Sequence, residues 1–189
     1  MNRAASSRVA SFLAAIVFVP VAASHGLHIF AQNSVAVPTE MSKPSATERL
    51  LVGTWTLEIC DNILPDGTRI ELYGPHPKGA VMYDASGHYS MQIMSATRPR
   101  FVANDKSKGT PEEYAAAIKG TNAHYGTYTV DEAAHTIVTH VEGATFSNWE
   151  GSDRKSPFVL EGDTLTYKVL SPTTGGNATG EVRWRRIRP

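Results

Sequence analysis

Gly53-Thr54-Trp55-Thr56-Leu57-Glu58-Ile59-Cys60-Asp61-Asn62-Ile63, closed by Pro65-Asp66-Gly67 and answered by Thr68–Leu72, decides the fold class. An eleven-residue β-type run, a tight turn and a second β-type run make a hairpin. The same grammar repeats downstream. Ala80–Tyr83, the turn Asp84–Gly87 and Tyr89–Met94 follow, then Gly126–Val130, Ile137–Glu142, Phe158–Leu160, Leu165–Leu170 and Glu181–Ile187. Asp131–Ala134, Glu161-Gly162-Asp163 and Pro172–Gly176 supply the later turns. Connections this short pair neighbouring strands antiparallel.

One helix interrupts the series. Thr110-Pro111-Glu112-Glu113 combines an N-cap, a proline at the first helical position and a glutamate placed for a capping box. Ala-rich sequence runs to Ile118, and Gly120 is its stop. The polar stretch Ser95–Gly109 before it has the length of a lid or binding loop. About eight to ten strands with one short helix give an all-β chain, either a barrel or a sandwich.

Two features of the strands resemble known barrels. Gly53-Thr54-Trp55 on the first strand and Trp184-Arg185-Arg186 on the last resemble the lipocalins, where a Gly-x-Trp packs at the barrel base against an arginine of the final strand. Tyr73-Gly74-Pro75, Met91-Gln92-Ile93-Met94 with Arg98-Pro99-Arg100-Phe101, Tyr125-Gly126-Thr127-Tyr128, and His140-Val141-Glu142-Gly143 with Asn148-Trp149 resemble the bacterial and fungal lipocalin-like domain family. The resemblance runs from Glu48 to Ile187; Ser147 and Arg154–Pro157 depart from the family's usual pattern. It implies an antiparallel up-and-down lipocalin-like barrel with a central cavity. Related barrels include ligand carriers as well as cyclases and isomerases, so the fold leaves the function open.

Outside the strands, Arg3 and Arg8 precede the apolar run Val9–Ala23, which is shorter than the ~20 residues of a membrane-spanning helix. Residues 1–31 read as a signal peptide, cleaved after Ala23 or Ala31, with an uncleaved anchor as the alternative. Residues 32–46 carry Ser, Thr and Pro without hydrophobic period and read as a flexible linker; the barrel domain is expected over 47–189, opening on a helical turn capped by Thr47. The destination is then secreted or periplasmic, with no stable membrane insertion after cleavage. With 18 basic against 18 acidic residues, no global field draws the chain to nucleic acid. Near-neutral charge is compatible with a homodimer. Cys60 is the only cysteine, so no intrachain disulfide forms, and its apolar strand predicts a buried, inert thiol.

Residues two apart on a strand share a face, so His140 and Glu142 point the same way. Facing a cavity, they would make a general acid–base pair; the plainer alternative is a structural ion pair. Tyr83, Tyr125 and Tyr128 are candidates to line the ligand site, as is the mixed face of Gln92 and Met94, with Gln92 as its polar handle. Met91 and Trp149 belong to the same candidate set. Arg98 and Arg100 are candidates to clamp an anionic group at the mouth, against the alternative of solvated loop arginines. No His-x-His, Cys-x-x-Cys, nucleophile elbow or dinucleotide fingerprint occurs, so neither metal nor cofactor is expected. The reading that follows is an exported barrel binding a small hydrophobic or amphipathic molecule. The alternatives are a cofactor-independent isomerase, cyclase or dehydratase working through His140 and Glu142, and a purely structural domain.

Overall fold

A computed structural model of the chain describes residues 43–174 and 176–188. The proposed leader and most of the proposed linker lie outside the described residues. Nine strands form one antiparallel sheet: β1 (Gly53–Ile63), β2 (Arg69–Glu71), β3 (Lys78–Tyr83), β4 (His88–Met94), β5 (Thr121–Asp131), β6 (Thr136–Ala144), β7 (Asp153–Glu161), β8 (Thr164–Val169) and β9 (Thr179–Arg186). From β3 to β9 each strand pairs with the next, β1 pairs with β3, and β1 also pairs with β9. The ring therefore closes through eight strands, β1 and β3–β9. This is an up-and-down barrel, and closure removes the exposed sheet edges that an open sandwich would leave.

The extra strand β2 pairs only with Asp61–Ile63 at the far end of β1, while β3 pairs with Gly53–Thr56 at its near end. Arg69 on this short strand forms ion pairs with Asp61 (3.1 Å) and Glu181 (2.8 Å). A three-residue edge carrying such charges is a poor template for a further strand.

Two helices flank the barrel. In α1 (Ala46–Leu51) the cap is Ser45, not Thr47. The Ser45 hydroxyl accepts from the Glu48 N–H, and the Glu48 carboxylate accepts from the Ser45 N–H. The reciprocal pair needs its glutamate three residues after the cap, and only Ser45 has one there. α2 (Pro111–Lys119) follows its sequence signals, with Thr110 as cap, Glu113 closing the box and Gly120 ending it. Among the described residues, no helix is long and apolar enough to cross a membrane.

The antiparallel registers divide the loops into two sets. At one end lie α1, the turns Asp84–Gly87 and Glu132–His135, and the Gly162-Asp163 turn; this end is closed by Leu51, Trp55 and Trp184, all fully buried. Arg186 stacks 4.0 Å from the Trp55 ring centroid and donates to the Val52 and Leu50 carbonyls, while the Trp55 N–H donates to the Leu51 carbonyl at 2.9 Å. At the other end lie the Ser95–Gly120 segment with α2, the β6–β7 connection with its 3₁₀ turn Ser147–Trp149, and the β8–β9 loop.

Which side chains enter the barrel depends on two irregularities. On β1 the extra residue Glu58 shifts the register against β9, so Trp55 and Leu57 face inward before it and Cys60 and Asn62 after it. On β6 the extra residue is Glu142, opposite the step from Tyr125 to Gly126. Gly126 has φ +156, and a Cβ there would lie 2.0 Å from the His140 carbonyl oxygen. Only glycine lets the two backbones approach this closely.

Candidate functional site

A cavity of about 280 Å³ occupies the barrel between the packed base and the open end. That lies near the low end of the roughly 300–1,000 Å³ usual for small-molecule sites. Val81, Met91, Ile93, Ile137 and Val182 give it apolar walls, and Phe146 and Trp149 stand at its mouth with Thr145. Cys60 also lines it; burial, with the neighbouring Asp61 adding, pushes its thiol up to about 12, so it is a thiol and not a nucleophile at neutral pH.

The polar groups on the walls are the informative part. The Tyr89 hydroxyl and His124 Nδ1 share a hydrogen bond of 2.8 Å. Burial pushes Tyr89 up to about 12; burial, aided by the positive Arg154, pulls His124 down to about 4. Both are therefore neutral at neutral pH. His124 also packs edge-on against Trp149 with ring centroids 5.6 Å apart, and the Arg154 guanidinium lies 4.2 Å from the Trp149 ring centroid. The Trp149 indole N–H and the amide oxygens of Asn62 and Asn122 are buried without a hydrogen-bond partner. Native interiors leave few such groups unpaired. Among the described residues Arg183 Nε and the Trp184 N–H are without a hydrogen-bond partner as well, away from the cavity lining, so three of the five such side-chain atoms belong to residues lining this one cavity.

Of the residues picked out by sequence, Tyr83, Met91 and Trp149 line this cavity. Tyr128 is buried beside Tyr83, with centroids 4.8 Å apart, but its hydroxyl donates to the Asp84 carbonyl at the closed end. Gln92 and Met94 face out: Tyr89, Met91 and Ile93 fill the interior, so the purely apolar face of β4 is the inner one. Gln92 donates to Ser90 on the outer wall. Arg98 braces the start of the β4–α2 segment through the Ser95 carbonyl, Thr121 and the Met94 sulfur, and Arg100 is exposed. Tyr125 is on the outer surface, 54% exposed.

His140 and Glu142 also face outward, against the expectation of a cavity acid–base pair. Between them sits Val141, fully buried, and Thr139 beside it lines the cavity, so the odd-numbered positions are the inner ones. His140 pairs instead with Asp153 on the outer wall at 2.8 Å. Among the described residues, no three His, Cys, Asp or Glu side chains are grouped to hold a metal.

Sequence reasoning passed over His124 and Arg154. His124 shares the inner face of Gly126 and Tyr128 two and four residues on, a signal the alternation already held. Arg154 was hidden because β7 begins at Asp153 and runs through Pro157, well before the Phe158–Leu160 core of the strand. Proline is tolerated there because β8 pairing stops at Phe158↔Tyr167, leaving no partner on that side.

A closed antiparallel barrel with a plugged base, an open end and an internal hollow defines a small cavity-forming barrel protein. The chain belongs to the lipocalin-like domain family, whose match spans residues 52–187. It is 26% identical over 106 residues to a 4'-hydroxy-3'-methoxypropiophenone carrier protein of Aspergillus oryzae, covering 52% of this chain and 96% of that protein. A redesigned β-barrel of known structure aligns at 11% identity with a TM-score of 0.39, over 75% of this chain and 95% of that one.

Proposed function

We infer that the barrel binds one small hydrophobic or amphipathic molecule in its cavity and acts as a carrier. The observation that supports this best is the cavity itself: apolar walls interrupted by buried polar atoms that no protein group satisfies. The carrier among its relatives is named for an aryl ketone with a phenolic ring, an amphipathic molecule of the class such walls accept. The basic residues and apolar run at Arg3–Ala23 support carriage outside the cytoplasm, after removal of that leader.

Titration with the neutral fluorescent probe N-phenylnaphthylamine tests the reading directly. Saturable uptake at one probe per chain, reversed by the relative's aryl ketone or by lipid extract, is the expected result. A probe that never leaves water, together with native mass spectra showing only the bare chain, would remove the carrier reading.

A further inference from the structure

The charge inside the cavity is unbalanced: Asp61 is the one carboxylate among its lining residues, and Arg69 holds it in an ion pair at 3.1 Å. Arg154 lines the hollow from β7, beside Trp149, and among the described residues no carboxylate forms an ion pair with it. Its chain neighbour Asp153 faces the other way and is engaged by His140 on the outer wall. Tyr89, His124 and Tyr167 beside Arg154 bring no compensating charge. Burial also works against the charged guanidinium. A guanidinium keeps its proton all the same, so the cavity holds one uncompensated cation. Beside it the Trp149 N–H is a second donor without an acceptor.

Resting on the carrier reading, the geometry points to a more specific ligand: an aromatic carboxylic acid bound as its carboxylate, with the anion on Arg154. The planar fork of a guanidinium matches a carboxylate bidentately, and the indole N–H offers a third donor close by. Trp149 and Phe146 stack edge-on with centroids 5.6 Å apart, and with His124 they give an aromatic body flat surfaces to lie against. The amide oxygens of Asn62 and Asn122 accept hydrogen bonds only, which suits a hydroxyl elsewhere on the ring. Arg98 and Arg100, the arginines that sequence suggested for such a clamp, do not line the cavity.

The test is a matched pair, naphthoate and its neutral isostere acetylnaphthalene, titrated calorimetrically into the full chain at neutral pH. Naphthoate is expected to bind about 10-fold tighter or more, the usual scale of a charge-assisted hydrogen bond. Arg154→Met should erase that preference, bringing the ratio of the two affinities to about one. Arg154→Lys, which keeps the charge but not the fork, should retain a preference several-fold smaller, and it serves should the Met variant fail to fold. Equal binding of the two compounds, or a carboxylate preference that survives Arg154→Met, would overturn the assignment and leave the carrier reading standing. Binding of neither compound would overturn the assignment, and together with no uptake of N-phenylnaphthylamine it would overturn the carrier reading too.

Discussion

The barrel contains the same contact twice, once at each end, and the two are not equivalent. At the base, Arg186 lies 4.0 Å from the Trp55 ring, its nitrogens are taken up by the Val52 and Leu50 carbonyls, and the indole N–H has the Leu51 carbonyl. At the mouth, Arg154 lies 4.2 Å from the Trp149 ring, no carboxylate pairs with it among the described residues, and the indole N–H has no acceptor. A cation–π contact alone therefore says little about role. What separates the two contacts is whether the donors of the stacked pair itself are already used. Trp55 and Arg186 have theirs taken by carbonyls, whereas the Trp149 N–H has no acceptor, although the neighbouring Trp184 N–H in the base is unpartnered too.

The sharpest way to break the comparison is to truncate each tryptophan. Trp55→Ala empties a fully buried site and should cost about 3–5 kcal/mol of stability by urea unfolding. Trp149→Ala should cost roughly 1 kcal/mol or less, yet lower probe affinity several-fold. Equal stability losses at the two ends would dissolve the distinction.

Acid should separate the ends as well. His124 titrates near 4 in the folded chain against 6.5 when free, so the unfolded chain binds more protons between those values. Stability held above pH 6.5 should therefore fall by up to about 3 kcal/mol as pH drops toward 4, and His124→Gln should flatten that slope. The base responds later. Hydrogen bonds from Thr47 and Ser45 hold the exposed Glu132 at about 2, below its usual 4.5, so its share is present above 4.5 and is lost as pH falls toward 2. Unfolding midpoints measured from pH 7.5 down to 3 resolve the two windows.

The smallest effect is expected outside the wall. His140→Ala removes an exposed pair with Asp153 and should change stability by less than about 0.5 kcal/mol, with probe binding untouched. A loss of binding in this variant would show that the outer wall communicates with the cavity.

The architecture was legible in the sequence because each hairpin carries its own instructions. Turn residues, the Thr110-Pro111-Glu113 cap and the Gly53/Trp55/Arg186 group all act locally or through one contact, and all appear in the structure. The site was far less legible. Alternation separates two faces of a strand but does not say which is inner, and that choice is made by packing against seven other strands. On β4 the apolar face won because Met91 and Ile93 complete the core. On β6 Val141 decided against His140 and Glu142. Arg154 escaped notice because Pro157 hid the start of its strand, and a strand's extent depends on partners that are distant in sequence.

Glu58 leaves one last implication. A single unpaired residue gives β1 two reading frames: the letters before it are read by the plug, and those after it by the hollow. The wall can thus present an indole at one depth and an amide at another without breaking the rhythm of the strand. Were Glu58 paired in regular alternation instead of bulged out, Asn62 would turn to the solvent side and Asp61 and Ile63 would face inward, so the lining of the hollow is set as much by spacing as by side chains.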